Sequence, residues 1–291
     1  MTGQIEKFLG QGAVRALYGP MNLFIIAENK SGPDDSLALE AGKFSFSLLE
    51  RVSCAPKIFK RNPMGLMDLT PQYDEPLLND MVEAVLATKV PDLWPMAAVA
   101  GTVAQAVVKF MASFPETQKA IVENGGDVAV FLAPQKKASI GIRLGLDRTT
   151  LSHKIELTGD INPFYGVCSS GLGGRSLTTG VADTAMCLAY SCSIADAAAT
   201  AVANACRTEN LPVIRKPAQF IRPQTDVPYL LVTYSLKRAL TLDEAARAID
   251  NAISLATELI ERKVILGALI SAGGLYNLVG FSSVSPPVKL A

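Results

Sequence analysis

The spacing of apolar residues changes along the chain between the alternation typical of strands and the longer period typical of helices. A pair of strands is predicted over residues 13–28, around a turn at Gly19-Pro20, and another strand is predicted directly after the turn at 124–127. Further strands are predicted over 139–144, 151–157, 164–168, 184–190, 228–235 and 264–271. Helices are predicted over 36–51, 75–88 and 95–114, from Ser193 and from Thr241, where Thr241 and Glu244 form a capping box. Because strands and helices do not strictly alternate, the pattern indicates an α+β protein built of mixed layers.

No linker divides the 291 residues, so we predict a single unit over 1–291 with an irregular insertion at about 56–76. Such an insertion is typical of a surface loop, and a lid or an oligomer contact are the alternatives. The segment 95–114 is apolar nearly all round, which predicts a buried helix, and its small residues over 97–104 would permit close backbone approach to a sheet or to a ligand. A homodimer interface would explain the same composition.

Basic and acidic residues balance at 27 each, so no charge excess favours nucleic acid or an anionic membrane as a partner. The first residues do not form a signal peptide, and no continuously apolar run reaches the ~18 residues of a membrane helix. We therefore expect a cytoplasmic protein with a small-molecule ligand. Five cysteines without metal-type spacing predict reduced thiols, and one histidine, His153, excludes a multi-histidine metal site.

The stretch 165–207 concentrates the residues that predict a site. Its glycine-rich loop holds Gly171, Gly173, Gly174 and Arg175, whose backbone N–H groups and guanidinium would bind an anionic or planar ligand. In the following helix Asp196, Thr200 and Asn204 share one face, and oxygen ligands of this kind suit Mg²⁺. Alternatively, Ser193 and Asp196 form a helix cap.

The turn Cys168-Ser169-Ser170 offers three groups that could act as a nucleophile or carry a proton. Activation needs a base, and His153 is the only imidazole; otherwise Asp127, Asp183 or a lysine would serve. The competing interpretations are that Cys168 is a small buried residue before a turn and that His153 is structural. The turn Asn124-Gly125-Gly126-Asp127 is explained by turn chemistry alone.

Several segments together resemble a known family. They are PMAAVAG from Pro95, ENGGD from Glu123, CSSG from Cys168, AD at Ala182 and ADAAAT from Ala195, and they keep their order over about residues 12–274. The chain resembles the ApbE-like proteins, an uncharacterised branch of the superfamily of FAD:protein FMN transferases.

The resemblance implies a set of site residues and cofactors. Asp196 and Thr200 correspond to magnesium ligands, while Asn124-Gly125-Gly126-Asp127 and Ser169-Ser170-Gly171 would line a pocket for FAD or FMN. The transferase segment His-x-Ile-x-Pro-x-Thr-Gly is represented here only by Thr179-Gly180.

Three functions follow as hypotheses. The first is a metal-assisted enzyme acting on a phosphate- or carboxylate-bearing small molecule, with FMN transfer as its specific version. The second is a flavin-independent hydrolase, lyase or isomerase that uses the turn from Cys168 to Ser170. The third is a metabolite-binding protein without catalysis.

Overall fold

The computed structural model describes residues 3–54, 73–145, 151–174, 176–223, 225, 227–281 and 288–290. Its α-helices are α1 (Asp35–Ser53), α2 (Pro76–Thr88), α3 (Val99–Ala112), α4 (Cys192–Ala205) and α5 (Leu242–Glu261). Short 3-10 helices lie at Pro95–Ala98 and Ala218–Phe220. Most of the insertion predicted at 56–76 lies outside the described residues.

The strands are, in chain order, β1 (Gln4–Phe8), β2 (Ala13–Tyr18), β3 (Met21–Asn29), β4 (Gly32–Pro33), β5 (Thr117–Asn124), β6 (Asp127–Leu132), β7 (Lys137–Ile142), β8 (His153–Thr158), β9 (Phe164–Ser170), β10 (Thr184–Ala189), β11 (Val213–Pro217), β12 (Leu231–Leu236), β13 (Gly267–Ala272), β14 (Leu275–Val279) and β15 (Val288–Leu290).

Within the described part of the chain, ten strands form one antiparallel sheet. Its order is β1-β2-β3-β5-β6-β9-β10-β13-β14, and β4 pairs with β3 beside this path. A second antiparallel sheet has the order β15-β8-β7, and β11 pairs with β12 in a third. In the large sheet β9 pairs with both β6 and β10, so the ends of these three strands lie next to one another.

Helices cover one face of the large sheet. α1 packs on β2 and β3, α3 on β5 and β6, α4 on β9 and β10, and α5 on β13 and β14, while α2 packs against α4. On the opposite face Val130, Tyr165 and Met186 pack with Ile142 and Ile155 of the second sheet. Because both of its faces are covered, all six residues of β10 are buried, which explains its apolar sequence.

Most predicted elements are confirmed with boundaries shifted by a few residues. The α+β class, the five helices and the strands named from the sequence are all present. The capping box at the start of α5 is also confirmed, because the Thr241 hydroxyl accepts the Glu244 N–H while the Glu244 carboxylate accepts the Thr241 N–H. The segment 95–114 is one 3-10 turn followed by α3.

Two predictions about element ends were wrong. α4 begins at Cys192 with Ser191 as its N-cap, so Ser193 does not cap it. The strand predicted at 264–271 is not the last one, because Gly273 and Gly274 both have positive φ, +56° and +85°, and turn the chain into β14. A Gly-Gly pair with this geometry is typical of the turn of a β-hairpin rather than of the end of a last strand.

One segment of the described chain, Pro95–Ala112, has the length and the mean hydropathy, 1.3, of a membrane span. Half of it is buried inside the fold. Its contacts with α1, α4, β5 and β6 account for its apolar composition, as expected for a core helix.

Candidate functional site

A cleft of about 1,350 Å³ is lined by the start of α3, the turn between β5 and β6, the end of β9, the glycine-rich loop, the start of β10, one face of α4 and residues of the segment 221–230. The cleft brings together most of the predicted site residues, although they come from four separate segments. These are Asn124, Gly125, Gly126, Asp127, Cys168, Ser169, Ser170, Gly171, Gly173, Gly174, Asp183, Asp196 and Thr200.

The turn between β5 and β6 brings Asp127 to the cleft. Gly125 and Gly126 have φ of +70° and +111°, which makes the tight turn inferred from the sequence. The Gly126 N–H donates to the Glu123 carboxylate at 2.6 Å, and the Asp127 carboxylate accepts the Ser169 N–H at 3.3 Å. The turn therefore holds an acidic side chain against the end of β9.

The end of β9 continues this polar surface. Ser169 donates to the Gly126 carbonyl at 3.2 Å, and the hydroxyls of Ser170 and Ser176 lie 2.8 Å apart. At Gly171 φ is +151°, and a Cβ would lie 2.6 Å from the Asp183 carbonyl oxygen. Only glycine allows this close approach, so the loop lies flat against the first residues of β10.

The Asp196 carboxyl group at the cleft has a strongly perturbed pKa. It is buried, and its Oδ2 accepts the Gly101 N–H at 2.7 Å. Burial raises its pKa well above the ordinary value, and the nearby Asp127 carboxylate raises it further. Ser191 is the N-cap of α4, so the interpretation that Asp196 and Ser193 form the cap was wrong. The Asp196 carboxylate instead accepts a hydrogen bond from the backbone of α3.

The rest of the α4 face follows the predicted spacing. Thr200 is buried one turn after Asp196 and lines the cleft. Asn204, one further turn along, also lines it, and its Oδ1 accepts the Thr178 hydroxyl at 3.0 Å and the Thr179 N–H at 2.9 Å. Asn204 thus ties the end of the glycine-rich loop to the helix.

These residues fit a hard cation. Asp127 and Asp196 are close enough to raise the Asp196 pKa, and a divalent ion between two buried carboxylates would offset that repulsion. Thr200 adds a hydroxyl oxygen on the same helix face. Among the described residues there is no group of three or more His, Cys, Asp or Glu, so hydroxyl and backbone oxygens would have to complete the coordination.

Cys168 lies in an environment that opposes nucleophilic activation. The residue is fully buried, its Sγ lies 3.4 Å from the Cys192 Sγ, and burial raises the pKa of its thiol well above the ordinary value. A reactive cysteine needs a lowered pKa, which favours the thiolate. The surroundings of Cys168 thus favour the interpretation as a buried residue before a turn.

Two of the acid-base groups named from the sequence, His153 and Asp183, lie in different places. His153 is not among the residues that line the cleft: it is buried on β8, with Nδ1 3.0 Å from the Ser152 hydroxyl and its ring edge against Tyr276. Burial lowers the pKa of His153. Asp183 lines the cleft, accepts the Gly273 N–H at 2.8 Å, and has its pKa raised by burial.

Two arginines reach the cleft. Arg143 follows β7, and Arg222, an isolated positive charge in the sequence, donates to the Gly174 carbonyl at 3.4 Å. Sequence reasoning missed them as site residues because their segments carry no motif. The predicted Arg175 lies outside the described residues.

The cleft also depends on two residues of α3 that had not been predicted as site residues, the backbone of Gly101 and the side chain of Gln105. The small residues of the segment 97–104 had indicated close backbone approach, and Gly101 provides it against α4. No sequence signal marked Gln105, which is a buried polar residue in an apolar helix.

Comparison with known proteins assigns nearly the whole chain to one family: the family model described as AbpE bacteria matches residues 6–278. A UPF0280 protein of Methanosphaera stadtmanae is 35% identical over 149 residues, which cover 50% of this chain and 58% of that protein. A UPF0280 protein of Methanothermobacter thermautotrophicus is 32% identical over 189 residues, 64% of this chain and 70% of that protein. The chain thus spans less than two thirds of the Methanosphaera relative.

Solved structures of ApbE proteins are also similar. The apo form of the Pseudomonas stutzeri flavinyl transferase ApbE has 12% identity and a TM-score of 0.48, covering 96% of this chain and 95% of that chain. The ApbE protein of Thermotoga maritima has 11% identity and a TM-score of 0.47, covering 95% and 96%. Values this low support no inference about activity.

Proposed function

This chain belongs to the AbpE bacteria family, in keeping with the ApbE-like branch that its motifs resemble, and on that premise we propose that it is a metal-assisted enzyme acting on a flavin nucleotide. The observation that carries the proposal is the pair of carboxylates, Asp127 and Asp196, held beside Thr200 at one cleft. A buried pair of this kind is costly to keep charged without a cation. The presence of such a pair therefore supports a metal role.

The rest of the cleft suits the phosphate end of such a ligand. The loop with Gly171, Gly173 and Gly174 lines the cleft without side-chain bulk, so an anion could approach its backbone closely, and Arg143 and Arg222 supply positive charge. The volume of about 1,350 Å³ exceeds the 300–1,000 Å³ typical of small-ligand sites, which is consistent with a dinucleotide such as FAD.

The specific reaction that we propose is FMN transfer. An acceptor hydroxyl oxygen forms a bond to the FMN phosphorus of FAD, the pyrophosphate bond breaks, AMP leaves, and the hydroxyl proton passes to a base. Asp183 is the base that we propose, since it lines the cleft and burial raises its pKa, which makes its carboxylate a stronger proton acceptor than an ordinary aspartate. Mg²⁺ held by Asp196, Thr200 and Asp127 would neutralise phosphate charge when bound.

The test is native mass spectrometry with an absorbance spectrum, before and after addition of FAD and Mg²⁺. We expect the wild type to gain a flavin-sized mass only when Mg²⁺ is present. Asp196→Asn should not gain this mass, and Thr200→Val should bind the flavin about tenfold or more weakly. The matched control is Thr88→Val, which removes a buried hydroxyl of α2 bonded to the Val85 carbonyl, outside the cleft.

Different outcomes separate the hypotheses. No flavin-sized mass in the wild type at FAD and Mg²⁺ well above micromolar would contradict the proposal. Bound flavin with no transfer to a peptide hydroxyl and no AMP release would indicate a metabolite-binding protein. A flavin-independent reaction through Cys168 has little support, because its thiol is buried and its pKa is raised.

A further inference from the structure

The start of α4 has an unusual second source of hydrogen bonds in the side chain of Gln105 on α3. Its Oε1 accepts the Cys192 N–H at 2.8 Å, the Ser191 hydroxyl at 2.9 Å and the Ser193 N–H at 3.4 Å. The first N–H groups of a helix have no partner within the helix. Gln105 supplies an acceptor for two of them from a neighbouring element.

The helix's own cap is weak by comparison. Ser191 accepts the Ile194 N–H at 3.4 Å, at the long end of hydrogen-bond distances, and its hydroxyl donates to Gln105. The other end of the Gln105 amide is also engaged, because its Nε2 donates to the Asp80 carboxylate of α2 at 3.3 Å. A buried amide with both ends bonded keeps one orientation.

Two further contacts show that the same face of α3 holds the first turns of α4. Thr102 Oγ1 lies 3.0 Å from Ser193 Oγ, and the Gly101 N–H donates to Asp196. Asp196 comes one helical turn after Cys192, so the place where α4 starts against Gln105 determines where the carboxylate meets Asp127.

We propose that Gln105 is a positioning residue that fixes the start of α4 so that the Asp196 carboxylate lies beside Asp127 and can hold a cation. The part of this inference that concerns a cation rests on the proposed function. The part that concerns the position of α4 rests on the hydrogen bonds alone. Outer partners of metal ligands act in this way in known sites, where their loss typically weakens metal binding about 10–100-fold.

The experiment compares Gln105→Met with the double variant Gln105→Glu, Asp80→Asn in the full chain. Methionine keeps the length and removes both polar ends, whereas glutamate keeps an acceptor facing Cys192 and Ser193, and asparagine at position 80 donates to the other carboxylate oxygen in place of the bond that Gln105 makes to Asp80. Mn²⁺ alone is titrated into each protein and followed by electron paramagnetic resonance, while hydrogen exchange of the peptide that contains residues 191–196 is followed by mass spectrometry. Thr88→Val is the control for general loss of stability.

We expect Gln105→Met to exchange faster over 191–196 and to bind Mn²⁺ about tenfold or more weakly, while Thr88→Val and the double variant Gln105→Glu, Asp80→Asn bind Mn²⁺ like the wild type. Unchanged exchange at 191–196 in Gln105→Met would overturn the proposal, as would equally weak Mn²⁺ binding in Thr88→Val. If the wild type binds no Mn²⁺, the metal part of the proposed function fails, and the exchange result alone decides whether Gln105 fixes the start of α4.

Discussion

At the residue scale, the absence of a Cβ at one glycine, Gly101, determines the geometry of the site. Gly101 has no side chain, so its N–H can reach the Asp196 carboxylate and α3 can lie directly against α4. A Cβ at this position would lie 2.5 Å from the Cys192 carbonyl oxygen and 2.7 Å from the Asp196 Cβ. These atoms belong to backbone and to a short side chain, so they cannot move without moving the helix.

We therefore expect Gly101→Ala to destabilise the protein by about 1–3 kcal/mol, the usual cost of overpacking, despite the better helix propensity of alanine. The matched control is Gly42→Ala in α1, where the new Cβ meets the flexible Ile5 Cδ1 at 3.3 Å. That change should be neutral or stabilising by up to about 1 kcal/mol. Urea denaturation measures both, and equal midpoints for the two variants would contradict the argument.

At the element scale, the helices begin at caps of different origin. α5 carries its own capping box, and Glu244 is also paired with Arg238, which together with the helix N–H lowers the Glu244 pKa to about 2. α4 depends on Gln105 of another helix. A local cap can be predicted from four neighbouring residues, whereas a cap from another helix cannot.

Thr241→Ala should cost about 1 kcal/mol, the typical contribution of an N-cap hydroxyl, because the Glu244 N–H loses its acceptor. Thr241→Ser keeps the acceptor and should retain most of the stability. The free energy of unfolding from urea denaturation at pH 7 checks both variants. If alanine and serine gave the same value, the hydroxyl would not contribute at this position.

At the scale of the whole molecule, the stability of the fold depends on the charge of its cleft. The folded state raises the pKa of Asp196, through burial first and the Asp127 charge second, above its ordinary value of 3.8. The folded protein therefore holds this proton to a higher pH than the unfolded chain does. The resulting stabilisation is complete below the unfolded pKa and is lost as pH rises through the raised folded pKa.

In the presence of EDTA, Asp196→Asn should consequently be more stable than the wild type at pH 7, and the difference should shrink as pH falls toward about 4. Mg²⁺ at about 100 times its dissociation constant should stabilise the wild type by about 2.7 kcal/mol and leave Asp196→Asn unchanged. Thermal unfolding at several pH values provides the measurement, with the exposed Asp250→Asn as control. A wild-type stability independent of pH above 4 would contradict the buried carboxylate pair.

The sequence alone determined much of the fold because helix and strand periods, caps and turns are local. Neighbouring residues were enough to predict the apolar period of α5 and its Thr241–Glu244 capping box. They were also enough to predict the turn from Asn124 to Asp127. The spacing of Asp196, Thr200 and Asn204 likewise placed them on one helix face.

β1 was missed because its residues are mostly exposed and show no apolar stripe. The single unit, the homodimer and the cytoplasmic location stay predictions.

The tertiary structure decided the contacts between segments distant in sequence. Asp127 and Asp196 line the same cleft because β6 and β10 both pair with β9, and α4 packs on β9 and β10. The same packing buries Cys168, keeps His153 away from the cleft and lets Gln105 cap a helix 87 residues further along the chain. The sequence shows which groups a segment carries, but their pKa values and partners depend on burial and on neighbours that only folding brings within reach.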